Sequence, residues 1–310
     1  MNSLISIVVP CLNEQDALPF FYKEIIPTLE SINIDYEIIF VDDGSTDNTA
    51  NIIKEYSTEN DKIKYIIFSR NFGKEAAMFA GMEKAKGNYV AVMDVDLQDP
   101  PEKLIEMYNI LKNEDYDCVA TRRVTRKGEP KIRSWFARKF YKLINKWSQT
   151  EVVDGARDYR LMSRRMVDSI LSMKEYNRFS KGIFSWVGFK TKWLEYENIE
   201  RCAGETKWNF KNLFVYAIEG IVSFTLAPLY LIIKLGIALM VIDIIASIVL
   251  AILAIINVIV FDNRLILLLS ITFIVALLIL CMGIMALYQA KIYLEIKQRP
   301  LYITKEENAK

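Results

Sequence analysis

Short apolar runs alternate with helical patterns along the first part of the chain. Leu4–Pro10, Tyr36–Asp42, Lys64–Ser69 and Tyr89–Asp94 read as strands, and Leu18–Ser31, Asn48–Tyr56 and Glu75–Lys86 as the helices between them. The strand runs are continuous rather than alternating, which predicts strands buried on both faces. Strands that alternate with helices predict an α/β domain with a mainly parallel sheet. Ligands of such sheets bind at the carboxyl ends of strands. Polar clusters fall there: Asn13-Glu14, Asp42-Asp43-Gly44-Ser45 and Asp94-Val95-Asp96.

The pattern changes after Pro228. From Leu229 to Phe261 only Lys234 and Asp243 are charged, and Leu265–Tyr288 has no charge. At 1.5 Å per residue the second run is about 36 Å long, enough for a hydrocarbon core of about 30 Å. The first run crosses too if Lys234 snorkels, with Asp243 facing a partner or a polar cavity. The expectation is two transmembrane helices, about 233–260 and 265–288 within 229–290, forming a hairpin through Phe261-Asp262-Asn263-Arg264. A buried helix pair in a soluble protein is the competing reading. Residues 209–228 read as an amphipathic juxtamembrane helix, and 291–310 as a tail carrying Lys291, Lys297, Arg299, Lys305 and Lys310. The positive-inside rule puts tail and N-terminal domain in the cytoplasm, hence a multi-pass plasma-membrane protein. MNSLISIVVPCLNE lacks the basic n-region of a signal peptide.

Composition divides the same way. The 310 residues are 52% hydrophobic, with mean hydropathy +0.16. Residues 1–228 hold 32 basic and 33 acidic side chains, and 229–310 hold 7 and 5. A net charge of +1 argues against a general nucleic-acid binder. Basic residues concentrate in 122–148, where Arg122, Arg133 and Arg138 interleave with Trp135, Phe136 and Tyr141. This predicts an amphipathic segment facing anionic lipid, against a simple solvated helix face. With no histidine, Ser-His-Asp and Cys-His catalysis and His-ligated zinc are excluded. Cys11, Cys118, Cys202 and Cys281 are far apart, without a CxxC, and read as reduced, mostly buried thiols.

Asp94 and Asp96 close the fourth run. If the chain turns there, both reach one hard divalent cation, Mg²⁺ or Mn²⁺, with Gln98 as a third oxygen. Such a cation on a diphosphate would neutralise charge on a nucleoside-diphosphate leaving group. Asp42-Asp43-Gly44-Ser45-Thr46-Asp47 has two readings. One is a turn and helix cap; the other is a carboxylate pair accepting from a base N–H or ribose hydroxyls. Neither GxGxxG nor a P-loop is present.

Together SIVVPCLNE, VDDGSTDNT, SRNFGKEAAMFAGMEKAKG, MDVDLQDPPE and GARDYRLMSRR resemble, in order and spacing, family 2 glycosyltransferases of the polyprenyl-phosphate type. RCAGETKWNFKNLFVYAIEGIVSFTLAPL and the hairpin resemble the bacterial branch that loads glucose or related sugars onto undecaprenyl phosphate. The resemblance implies a GT-A-like nucleotide-sugar domain over 1–208. Pro10, Asn13, Glu14, Asp42, Asp43, Lys74 and Asp94 would bind the donor nucleotide. Asp94, Asp96 and Gln98 would hold the metal, with Asp96 counted among the catalytic residues. Asp158 matches the acidic residue usually proposed as catalytic base. Arg122, Arg133, Arg138, Arg160, Arg201 and Lys207 are the positions for diphosphate or acceptor phosphate. The implied reaction is inverting transfer of a hexose, glucose from UDP-glucose foremost, to undecaprenyl phosphate, for cell-envelope glycosylation. The implied assembly is a homo-oligomer, a tetramer by family expectation. UDP-GlcNAc, UDP-galactose and GDP-mannose are the alternative donors. A non-catalytic membrane scaffold is the alternative class; a processive synthase fits poorly with two spans and no Q-x-x-R-W-like motif.

A lipid monophosphate has a second pKa near 6, so it is mostly a dianion at neutral pH and needs little deprotonation. Asp158 then has three roles open to it: orienting the acceptor, holding a basic neighbour such as Arg160, or supporting a cationic transition state.

Overall fold

The computed structural model describes residues 3–123, 153, 155–196, 227–255 and 263–309. It divides into two units: Met1–Gly220 with Arg299–Lys310, and Ile221–Gln298.

The first unit is built on an eight-stranded sheet. Its strands are β1 Leu4–Cys11, β2 Asp35–Asp42, β3 Ile63–Phe68, β4 Tyr89–Val92, β5 Cys118–Arg123, β6 Ala156–Ser163, β7 Thr191–Tyr196 and β8 Thr304–Glu307. Their order is β7-β5-β6-β4-β1-β2-β3-β8. The β3-β2-β1-β4 core is parallel, as the continuous apolar runs predict. β6 runs antiparallel to both β4 and β5, and β8 antiparallel to β3. The sequence reading located the first four strands within a residue or two; β5 to β8 are additions from the structure.

Helices cover both faces. α1 Leu18–Ile32, α2 Thr49–Glu59 and α4 Lys103–Asn113 bury Phe21, Ile25, Ile53, Leu104 and Met107 with Ile5, Ile7, Val9, Ile38 and Phe40. α3 Lys74–Lys84 lies across the opposite face, where Gly81 permits close approach: a Cβ there would sit 2.2 Å from Val8 Cγ1. Burying such side chains contributes about 1.5–3 kcal/mol each, so this double-sided core sets the strand register. α5 Arg164–Ser172 and α6 Ser180–Trp186 follow β6. Ser163 caps α5, accepting from Met166 N.

The second unit holds α7 Ala227–Ile255 and α8 Asn263–Ile296. Within α8, Phe273–Ile296 is long and apolar enough to cross a membrane, with mean hydropathy 2.3. α7 begins before its expected boundary, and α8 passes its expected boundaries at both ends. The expected tail is not merely a tail: its residues 304–307 are the edge strand β8. The basic block beyond Arg123 and the juxtamembrane segment before Ala227 lie outside the described residues. Cys11, Cys118 and Cys281 are free thiols, the first two buried.

Candidate active site

From β1 the chain proceeds to β2 and β3 on one side, and later to β4 on the other. The carboxyl ends of β1 and β4 therefore flank a topological switch point, where open α/β sheets bind ligands. Most of the predicted residues gather at this edge.

The loop after β1 is laced to the loop after β2. Asn13 adopts φ 49°, a left-handed conformation that Asn tolerates. Its Oδ1 accepts from Thr46 N at 2.8 Å, and its own N donates to Ser45 Oγ at 2.8 Å. Glu14 N donates to Thr49 Oγ1 at 2.8 Å. Pro10 is half-buried on β1, opposite Val41. Gly44 has φ +72°, and a Cβ there would lie 2.5 Å from the Arg70 carbonyl carbon, so only glycine fits this turn.

The two readings of the Asp42–Asp47 cluster divide among its residues. Asp47 Oδ1 accepts from Thr49 N at 3.0 Å, a capping role at the start of α2. Asp43 accepts from Phe72 N at 2.6 Å and Gly73 N at 2.9 Å, fastening the loop that enters α3. Asp42 is different. It is 1% exposed, its Oδ2 accepts from Ser45 N at 3.2 Å, and its Oδ1 has no partner among the described residues. Burial, more than any neighbour, pushes its carboxyl pKa up. An unmatched buried acceptor calls for a donor, and a nucleobase N–H has that chemistry.

β4 ends at Val92, before both acidic residues, and the chain turns at Val95-Asp96. Val92 pairs with Arg160 of β6 in antiparallel register, and continuing by two residues brings Asp94 abreast of Asp158. Like charges side by side repel. Lys74, at the first position of α3, resolves the conflict. Its Nζ lies 2.7 Å from Asp94 Oδ1 and 2.6 Å from Asp158 Oδ2. Burial lowers the Lys74 pKa, but Asp158 and Asp94 outweigh it and hold the ammonium above the usual lysine range. Burial likewise raises the Asp158 pKa, yet Lys74 and Lys181 hold the carboxyl well below the usual carboxylate range. The Lys74 side chain is 37% exposed, so water screens this bridge.

Behind it lies a second layer that sequence reasoning did not single out. Asp99, 1% exposed, pairs with Arg157 at 3.2 Å and accepts from the Tyr196 hydroxyl. Arg157 Nη2 also reaches Gln98 Oε1 at 3.4 Å. Glu75 accepts from Ser180 N at 3.1 Å and from the Ser180 hydroxyl, tying α3 to α6. Asp99 and Arg157 lie inside the quoted motifs, and that adjacency was the available signal. Nothing local links Glu75 to Ser180.

The expected phosphate-binding arginines separate. Arg160 is 3% exposed, donates to the Arg157 carbonyl at 2.8 Å and stacks on Phe184 at 3.7 Å, a position within the support of the site. Arg122, 40% exposed, pairs with Glu195. Arg133, Arg138, Arg201 and Lys207 lie outside the described residues.

Among the described residues no three His, Cys, Asp or Glu side chains form a ready metal cage. Two aspartates in one turn fit a cation of another kind. Mg²⁺ commonly takes one or two protein carboxylates and completes its shell with water and substrate phosphates. Asp96 is 3% exposed and its Oδ1 accepts from Gln98 N at 3.1 Å. A carboxylate offers about four lone-pair sites, so such bonds leave it ligating capacity.

The parallel β3-β2-β1-β4 core, with acidic turns at the carboxyl ends of β2 and β4, is a GT-A-like α/β arrangement. Residues 6–171 match the model of glycosyl transferase family 2. The chain belongs to that family and is a glycosyltransferase. It is 41% identical to the glycosyltransferase CsbB of Bacillus subtilis (strain 168), over 99% of this chain and 93% of that one. It is 39% identical to the prophage bactoprenol glucosyl transferase homolog of Escherichia coli (strain K12), over 97% and 98%. The bactoprenol glucosyl transferase of Shigella phage SfV is 39% identical over 99% of each chain. Among solved structures, glucosyl-3-phosphoglycerate synthase from Mycobacterium tuberculosis is 19% identical over 71% of this chain and 78% of that one, with TM-score 0.48.

Proposed function

We propose that this protein is a membrane-anchored, metal-dependent, inverting hexosyltransferase that moves glucose from UDP-glucose to undecaprenyl phosphate. One observation carries the chemistry: Lys74 bridges Asp94 and Asp158 at the switch point of the sheet. The lipid acceptor and the sugar follow from the full-length likeness to proteins named bactoprenol glucosyl transferase.

Asp42 receives the uracil N–H on its unmatched oxygen. Asp94 and Asp96, with Gln98 beside them, would hold the divalent cation. Bound there, a divalent cation would supply positive charge to offset the charge of a departing diphosphate. Lys74 adds a second positive group at the same place. A phosphate oxygen of the acceptor attacks the anomeric carbon from the face opposite UDP. The new C–O bond forms as the bond to UDP breaks, and UDP leaves with the electron pair, so the configuration inverts. The acceptor dianion needs no proton removed near neutral pH. A carboxyl held as far down as that of Asp158 is a weak proton acceptor. Asp158 therefore orients Lys74 and the acceptor, and its negative charge favours the cationic sugar of the transition state. Arg133, Arg138, Arg201 and Lys207 supply charge-assisted hydrogen bonds to the lipid phosphate.

The acceptor stays in the bilayer, so the site must be held at its surface. α7 and α8 form a hairpin that crosses twice, with the catalytic domain and basic tail on the cytoplasmic side. The pairing of β8 with β3 supports this topology. A chain that leaves the catalytic sheet and later rejoins it crosses an even number of times.

The test is transfer itself. Detergent-solubilised protein is incubated with undecaprenyl phosphate, Mn²⁺ or Mg²⁺ and a panel of labelled nucleotide sugars, with and without EDTA. Label from UDP-glucose is expected in the organic phase and is expected to vanish with EDTA. Label from a different donor replaces glucose. No label from any donor, in folded protein, overturns the reading.

A further inference from the structure

The strand that follows the membrane segment does more than close the sheet edge. Ser69 N donates to the Ile303 carbonyl at 2.9 Å, where β3 hands over to the site loop. One residue earlier in each chain segment, Tyr302 stacks on Phe68, with ring centroids 4.9 Å apart and planes 18° from parallel. Phe68 in turn meets Phe72 edge-on at 5.7 Å. Phe72 N and Gly73 N donate to Asp43, and the next residue is Lys74, whose ammonium reaches Asp94 and Asp158. Tyr302 is also fixed at its far end, its hydroxyl 2.6 Å from Glu83 Oε2 at the other end of α3. β8 is also held away from the aromatic path: Lys54 of α2 pairs with Glu306 at 2.6 Å, Lys84 at the end of α3 pairs with Glu307 at 2.8 Å, and just past the strand Asn308 Oδ1 accepts from Tyr65 N at 2.6 Å.

The geometry points to Tyr302 as a positioning residue for the donor site, acting through Phe68 and Phe72 on the loop that delivers Lys74. The contacts are aromatic and sequential, so removing one leaves the next free to shift. Aromatic pairs contribute about 0.5–1.5 kcal/mol beyond burial, and a shift of about 1 Å in a positioning group can lower a rate by about a hundredfold. The placement has a consequence for the whole molecule. The strand just beyond the apolar helices is wired to the part of the site that meets the donor diphosphate. This inference rests on the nucleotide-sugar reading of the site.

UDP binding with Mn²⁺, measured by calorimetry on the full-length protein in detergent, tests it without requiring turnover. Tyr302→Ala is expected to weaken UDP binding by about fivefold to tenfold. Tyr302→Phe keeps the stack and loses only the Glu83 bond, so it is expected to stay within about twofold of wild type. Glu306→Gln disturbs β8 away from the aromatic path and is also expected to stay within about twofold. If Tyr302→Ala does not fold, Phe72→Leu breaks the same path one link nearer the site and must reproduce the loss. Unchanged UDP affinity in a folded Tyr302→Ala or Phe72→Leu protein overturns the inference. Equal losses in Tyr302→Ala and Glu306→Gln, tracking their melting temperatures, also overturn it, because they would mark a general loosening of the strand. Wild-type protein that binds UDP but transfers no sugar sinks the lipid-acceptor reading alone. Wild-type protein that binds no UDP sinks both.

Discussion

Two acidic turns stand at the same end of the sheet, one after β2 and one after β4, and they are held in different ways. In the first, Asp43 and Asp47 are matched by backbone N–H groups of neighbouring loops. In the second, Asp94 and Asp99 are matched by cations from distant elements, Lys74 and Arg157. Backbone donors cannot leave without unfolding the loop, so the first turn is a rigid wall with one unmatched atom, Asp42 Oδ1. Side-chain cations can move between anions. The second turn is therefore the place where the proposed reaction would rearrange charge around a donor diphosphate.

The largest effect that would break this comparison is at Asp96. Asp96→Asn is expected to lower kcat by about a hundredfold or more while the melting temperature changes little, because the residue serves the cation rather than the fold. A variant with near-normal turnover would remove the second turn from the chemistry. Lys74→Met comes next. It leaves Asp94 and Asp158 facing each other without the cation between them, and kcat/KM is expected to fall by about tenfold to a hundredfold. Steady-state kinetics at saturating Mn²⁺ would show whether the added metal makes good the missing charge.

The aspartate pair after β2 sharpens the contrast further. Asp42→Asn is expected to weaken UDP binding by about tenfold and to leave thermal stability near wild type. Asp43→Asn is expected to do the reverse, lowering the melting temperature by several degrees through the lost carboxylate bonds to Phe72 and Gly73. Calorimetry and thermal melts on the two variants separate these outcomes.

The smallest effect concerns Glu75, whose carboxyl pKa is raised chiefly by burial. A raised carboxyl pKa means that the folded state binds the proton more tightly than the unfolded chain does. Its contribution is therefore most favourable at low pH, and it declines as pH rises from about 4.3, the unfolded value, through the higher folded one. Glu75→Gln keeps an acceptor for Ser180 and removes this dependence. The melting temperature of wild type relative to the variant is expected to fall between about pH 4 and pH 7. A flat difference across that range would show that Glu75 ionises in the folded protein as readily as in water.

Much of this arrangement was legible in the chain. Four short continuous apolar runs alternating with helical patterns read as buried strands, which puts the turn residues at their ends along one edge of a parallel sheet. That reasoning placed Asn13, Asp42 and Asp94 at the crevice before any coordinates. The strand pattern treated Asp42 and Asp43 as a pair, since adjacent identical side chains differ only in which donors approach them; the resemblance alone singled out Asp42 as the carboxylate that reads the base. The resemblance named Arg160 among the phosphate positions, and the structure places it buried against Phe184. Period and composition describe a strand's faces but not what the next layer brings to them.

What the sequence determined by itself is the inventory: the α/β alternation, the apolar pair of segments, the absence of histidine, and the family. These depend on local period and residue type, which a linear chain carries in full. What only the tertiary structure decided are the pairings across long separations. Lys74 joins Asp94 to Asp158, Glu75 reaches Ser180, and residues 304–307, after two apolar helices, finish the sheet. Such contacts are set by strand order and by which surfaces must be buried together. No local pattern encodes either one, because each requires the rest of the fold to be in place.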